Sequence, residues 1–189
     1  MVLRLLLSLS VAVALGFGLS WYALTDGRLI AAVRAGPWAA WPDIGLETPN
    51  PYSRAYLARN GLMQLGYAEG IQFVAIADSA GAPLARNCTY RLEGSVPGAS
   101  FWTLVATDPE GVNIAASPDG PALHSERMAR RPDGSVLITV GPDLAPGNWL
   151  EIEGEGPFQI ALTLYDAAIF GGGSSTVGEM PAITQDHCR

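Results

Sequence analysis

Residues 101–107 read Phe101-Trp102-Thr103-Leu104-Val105-Ala106-Thr107. This is the densest aromatic and β-branched run outside the N-terminal segment, and such residues suit a pleated, half-buried surface. The turn formers Asp108-Pro109-Glu110-Gly111 close it. The run reads as a central strand, with other short strand-like runs on both sides. Ile71 to Ala77 is almost continuously apolar, as in a buried strand. Cys88, Tyr90 and Leu92 alternate with Thr89 and Arg91, which turns one face of that segment to a core. Val136, Ile138 and Val140 alternate after Pro132-Asp133-Gly134, a hairpin turn signal. Asn148 to Ile152 and Phe158 to Tyr165 read as the last strands, and Asn113 to Ala116 as a short return. The pattern predicts an all-β domain built as a β-sandwich.

One short helix stands before the strands. Asn50 is a good N-cap, Pro51 is favoured at the first helical position, and helix formers fill the stretch from Tyr52 to Asn60. Gly61 is placed for a C-cap, and Leu62 to Leu65 extends the pattern by a turn. Upstream, Gly36-Pro37-Trp38-Ala39-Ala40-Trp41-Pro42 holds two prolines and two tryptophans, which argues against regular structure there. Its tryptophans are expected to pack onto the domain. Gly171-Gly172-Gly173-Ser174-Ser175 is flexible by composition, and the tail ends at Cys188-Arg189.

The N-terminus is of another kind. Residues 5–24 are apolar, broken only by three serines and two glycines, and about 20 such residues cross a bilayer core as a helix. Arg4 precedes the run, and Trp21-Tyr22 lies at its far end, where interfacial aromatics belong. A cleaved signal peptide is the rival reading. Ala12-Val13-Ala14 resembles a cleavage site but falls inside the apolar run. The organisation expected is a transmembrane signal anchor at 1–26, a juxtamembrane Trp/Pro-rich linker at 27–50, and at 51–189 a sandwich with an N-terminal helix and a flexible C-terminal tail.

The 189 residues suffice for one domain and an anchor. The 11 basic residues are all Arg; with abundant Ala, Gly and Pro this points to a GC-rich bacterial genome, a coding bias without functional meaning. Net charge is −7, and 17 of the 18 acidic residues lie beyond Pro37. An acidic domain with no basic patch is not a nucleic-acid binder. Positive residues are nearly balanced across the span, so the cysteines decide orientation. Cys88 and Cys188 are the only two, far apart in the water-soluble part. Such a pair fits a disulfide in an oxidising compartment, with two unrelated buried thiols as the alternative. The expected location is the bacterial cytoplasmic membrane, single-pass, with the domain on the periplasmic side.

No catalytic constellation emerges. A Gly-x-Ser-x-Gly elbow, a phosphate-binding glycine loop and a dinucleotide fingerprint are absent from the sequence. Two Cys and two His at these spacings form no zinc motif, so neither a metal nor a cofactor is implied. His187 stands beside a structural Cys, and His124 lies in a polar segment that reads as an exposed loop. Four residues are candidates for a ligand cleft: Arg54 for a carboxylate, framed by Tyr52, Trp102 and Trp149. The competing reading gives Arg54 an internal ion pair and both tryptophans a place in the core. Asn148 is placed to fix the loop before Trp149 through backbone hydrogen bonds.

A run of short motifs carries a family resemblance: Pro51-Tyr52-Ser53-Arg54-Ala55, Gly81-Ala82-Pro83-Leu84, Cys88-Thr89-Tyr90, Phe101-Trp102-Thr103-Leu104, Asp133-Gly134-Ser135, Gly147-Asn148-Trp149-Leu150 and Leu164-Tyr165-Asp166. In this order, over roughly residues 36–189, the chain resembles the bacterial domain-of-unknown-function family numbered 1214, in a short membrane-anchored form. The resemblance implies a sandwich of jelly-roll type. It also implies a missing half: longer members carry an N-terminal domain of the family numbered 1254, so a separately encoded companion is expected as an envelope partner. No catalytic set is transferred. The reading that follows is a non-enzymatic, partner-binding envelope module. The alternative is an enzyme or small-ligand receptor with a cleft near Arg54 and Trp102.

Overall fold

A computed structural model describes residues 2–25, 33–42, 48, 50–60, 65, 69–116, 120–167 and 179–189. The N-terminal helix α1 runs Val2–Thr25. Two strands follow, β1 Val33–Ala35 and β2 Trp38–Ala40. Helix α2 is Pro51–Asn60. Then come β3 Gly70–Ala75, β4 Cys88–Gly94, β5 Ala99–Thr107 and the two-residue β6 Leu123–His124. A 3₁₀ turn, Ser125–Arg127, leads on to β7 Val136–Gly141, β8 Asn148–Glu151, β9 Gln159–Ala167 and β10 Ala182–Cys188.

The strands form two sheets, one of six in the order β1-β2-β3-β9-β5-β6 and one of four in the order β10-β4-β7-β8. Side chains alternate across each strand, so one face of each sheet meets the other. Phe73, Trp102, Leu104 and Leu162 from the larger sheet share one core with Tyr90, Leu92, Ile138 and Ile183 from the smaller. This is the β-sandwich that the alternation predicts. All pairs are antiparallel except β7 and β8, which run parallel. The side chain of Asn148 stitches that join: its Oδ1 accepts from the Ala129 N–H, and its Nδ2 donates to the carbonyls of Ala129 and Leu137.

Four local readings change. The Trp/Pro-rich stretch is not irregular: it is a hairpin, with Gly36 at φ +60° and Pro37 in the turn, so the proline sits where no ladder N–H is needed. Trp38 is fully buried, and its indole N–H donates to the Pro181 carbonyl at 2.7 Å. The Phe101 strand is not central. It is β5, next to the two-residue edge strand β6, while β3 and β9 hold the middle of the sheet. The segment 113–116 makes isolated bridges through Asn113 and Ala115 instead of a strand. The segment read as a loose tail supplies β10, because Ile183 is wholly buried and its N–H and C=O bond to the Oγ and N–H of Ser79.

Helix α2 begins where the caps predict. Asn50 Oδ1 accepts the Tyr52 N–H at 2.9 Å. The C-cap expected at Gly61, the extension at 62–65 (save Leu65) and the glycine linker at 171–175 lie outside the described residues.

Candidate functional site

The larger sheet is unusual on its outer face. A sheet with one face in water alternates apolar with polar residues. In β3, β9 and β5 the outward positions hold no charged residue, and Val74, Ala161 and Val105 stand side by side across the three strands. Beside this row, Gln72 donates to Thr163 Oγ1 at 3.3 Å. Toward β6, Phe101 lies between the rings of Tyr165 and His124, with centroids 5.7 and 5.8 Å away. The outer face of the smaller sheet is different. There Arg91 and Glu93 stand exposed on β4, and Glu93 pairs with Arg131. That ion pair holds the Glu93 carboxyl below its usual range.

A cleft of about 540 Å³ opens on the uncharged face, lined by Arg34, Trp41, Gln72, Val74, Gln159 and Ala161 among others. Its end is closed by the turn after β3. Asp78 is buried there, and its Oδ1 accepts the N–H groups of Ala80 and Ala82. Gln72, Gln159 and Arg34 supply the polar groups in reach of the cleft, and Trp41 supplies a nearly buried aromatic wall.

The four residues singled out in the sequence are distributed differently. Tyr52 and Arg54 are exposed on α2, whose most extensive contacts are with α1. Trp102 is 2% exposed on the inner face of β5, so its ring has no surface to offer a ligand. Trp149 lies on β8 of the opposite sheet, half-buried, and its indole N–H donates to the Gly141 carbonyl. The two tryptophans therefore belong to opposite sheets. The residues that line the cleft escaped sequence reading, yet a signal was present. The unbroken apolar run at 73–77 has no polar face, which is the mark of a strand covered on both sides.

Cys88 and Cys188 form a disulfide between directly opposed residues of β4 and β10. Around it the last residues form a charged clasp. His187 Nε2 lies 3.1 Å from Asp143 and Nδ1 3.3 Å from Asp186, while Arg189 pairs with Asp143. The carboxylates of Asp143 and Asp186 raise the His187 pKa, and Arg189 and then His187 lower that of Asp143. With a carboxylate at each ring nitrogen, both nitrogens of His187 are engaged within the clasp. His124 is half-buried on an edge strand and not on an exposed loop. Among the described residues, no three His, Cys, Asp or Glu side chains converge as metal ligands.

Helix α1 contains a 21-residue stretch, Val2–Tyr22, long and apolar enough to cross a membrane. At 1.5 Å per residue it is roughly 32 Å long, against about 30 Å of bilayer hydrocarbon. Length and composition fit a membrane anchor and a signal sequence alike.

Comparison with known proteins agrees with this architecture. The chain is 21% identical to the VPA0106 protein of Vibrio parahaemolyticus, known from a crystal structure, with a TM-score of 0.58 over 75% of this chain and 36% of that one. A putative uncharacterized protein from Burkholderia cenocepacia matches at 15% identity and a TM-score of 0.49, over 94% of this chain and 52% of that one. The chain thus spans about a third to a half of the solved structures that it resembles. None of the curated proteins matches it. The family described as "Protein of unknown function (DUF1214)" matches residues 69–169, from β3 to just past β9 and more than half of the sequence. This chain belongs to the DUF1214 family.

Proposed function

We propose that the chain is a non-enzymatic, membrane-anchored envelope module that holds a protein partner on the outer face of its six-stranded sheet. Helix α1 anchors it in the cytoplasmic membrane, and the sandwich stands on the periplasmic side. The disulfide favours that side, because such bonds persist in oxidising compartments. The observation that carries the reading is the uncharged outer row of Val74, Ala161 and Val105, set against the charged outer face of the other sheet. Contiguous apolar patches of this kind mark interaction surfaces. The partner is a separately encoded protein carrying a 1254-type domain.

The test is site-specific photo-crosslinking in intact membranes. A photoreactive residue at Val74 should yield a heterodimer with that companion, and one at Thr184, on the outer face of the smaller sheet, should not. Val105→Arg, at a half-exposed position of the same row, should remove the crosslink without moving the thermal midpoint. Monomer alone from both positions would overturn the reading. A small-ligand receptor is the second reading. The cleft favours it, since its volume falls in the range of about 300–1,000 Å³ usual for ligand sites. A ligand would then protect Trp41 from quenching, and the Val74 crosslink would not form.

A further inference from the structure

Helix α2 is not explained by the sandwich. Its most extensive contacts are with α1, and none of its described side chains belongs to the hydrophobic core. Among its described side chains, Tyr52, Arg54 and Ala58 are exposed and Ser53 is buried. A helix of only ten residues gains little stability in water alone. Its charge is also at odds with the rest of the chain. Residues 48–68 contain Arg54 and Arg59 and no acidic residue, in a protein of net charge −7. The same stretch holds Tyr52, Tyr56 and Tyr67. Arginine and tyrosine together suit the headgroup layer, where a phenol ring and a long cationic side chain each keep one end apolar and one end wet.

We infer that α2 is a membrane-surface element, lying beside the anchor in the headgroup layer with Tyr52 and Arg54 against anionic lipids. The inference rests on α1 being a membrane span. Two observations beyond charge support it. The helix lies against the apolar α1, so a bilayer around α1 brings lipid to α2. The connection between α1 and β1 is also short, seven residues from Asp26 to Ala32, which limits how far the domain stands from the membrane. Anionic lipid attracts an arginine near the surface, an attraction that falls off within a Debye length. Arg54 therefore orients the helix, and α1 does the anchoring.

The experiment uses the full chain in proteoliposomes. Both native cysteines are in the disulfide, so an introduced cysteine is the one free thiol for a nitroxide label. Three single variants are compared, Leu15→Cys in α1, Tyr52→Cys in α2 and Leu144→Cys on a loop that is 84% exposed. Accessibility to oxygen and to a water-soluble nickel chelate gives depth. The expected result is a deep label at 15, a headgroup-level label at 52 that moves outward when anionic lipid is replaced by zwitterionic lipid, and an aqueous label at 144. Arg54→Glu with Arg59→Glu should make position 52 aqueous and leave position 15 deep. A deep label at 15 with an aqueous one at 52 in anionic vesicles overturns this inference while sparing the anchor. An aqueous label at 15 overturns both.

Discussion

Replacing the two cysteines by alanine gives the most direct measure of how the sandwich is held closed. The disulfide joins residues 100 apart in sequence, so its main effect is on the unfolded chain, which it deprives of a long open loop. Loop-closure entropy for a loop of about 100 residues gives an upper figure of about 4.7 kcal/mol, and measured cases cluster at about 2–4 kcal/mol. In the folded state little should be lost. The N-terminal half of β10 is held separately, by Ile183 in the core and by the Trp38–Pro181 hydrogen bond. The far half keeps the Asp143 clasp with His187 and Arg189. Taking about 3 kcal/mol, and about 2–4 °C per kcal/mol for a chain of this size, the melting temperature of Cys88→Ala/Cys188→Ala should fall by about 6–12 °C. Differential scanning calorimetry in detergent, with near-ultraviolet circular dichroism for tertiary packing, would test this. The native dichroism should survive the substitution. A melting temperature within about 2 °C of the parent would refute the entropic account. Loss of the native dichroism at 25 °C would refute the claim that β10 is held independently.

Further outcomes follow from the same structure. Tyr90→Phe keeps the ring that meets Phe158 edge-on but strands the Ala85 N–H, which Tyr90 Oη accepts at 2.9 Å; urea midpoints should show a loss of about 1–2 kcal/mol. In Gly70→Ala the new Cβ would collide with the Leu164 carbonyl oxygen; the backbone there must give way, and a loss of about 1–3 kcal/mol should appear in the same assay. The clasp also makes stability depend on pH. The folded pKa of His187 is raised above the ordinary 6.5, so its contribution is complete below that value and is lost as pH rises through the raised one. The folded pKa of Asp143 is lowered below 3.8, so its contribution is complete above that value and is lost as pH falls through the lowered one. Thermal midpoints should therefore be flat between those limits, and His187→Gln should abolish the alkaline decline while leaving the acid one.

The fold was legible where strands had one dry face and one wet face. Cys88-Tyr90-Leu92 and Val136-Ile138-Val140 alternate in sequence, and both lie in the four-stranded sheet with those residues inward. The N-cap at Asn50 and the pairing of the only two cysteines were equally plain. Less visible were elements whose reason lies elsewhere in the chain. Nothing local makes Ala182–Cys188 a strand; it is one because Ile183 finds the core and the edge of β4 is open to it. The Trp38 hairpin was hidden because prolines beside tryptophans argue against a ladder, and only the turn position of Pro37 reconciles the two. The cleft was missed for another reason. Its residues come from β1 to β3, β5 and β9, far apart in sequence, and the conspicuous ones, Arg34, Trp38 and Trp41, fall in a stretch read as a linker. Trp102 and Trp149 are conspicuous, but they lie on opposite sheets, one sealed in the core and one bonded to the Gly141 backbone.

The order of strands in the larger sheet also bears on how the chain acquires its shape. β3 pairs with β9 through Gly70 opposite Tyr165 and Ala75 opposite Ile160, and β5 pairs with the same strand on its other side. Neither half of that sheet can close until β9 has been made. β10, last of all, must arrive before Trp38 can donate its indole hydrogen bond to Pro181. Long-range pairing of this kind slows folding, because distant segments must meet before any contact offsets the lost chain entropy. A chain emerging from the N-terminus would therefore stay largely open until nearly complete. On the proposed periplasmic placement, this delay would keep the polypeptide threadable during export and let it close only on the far side.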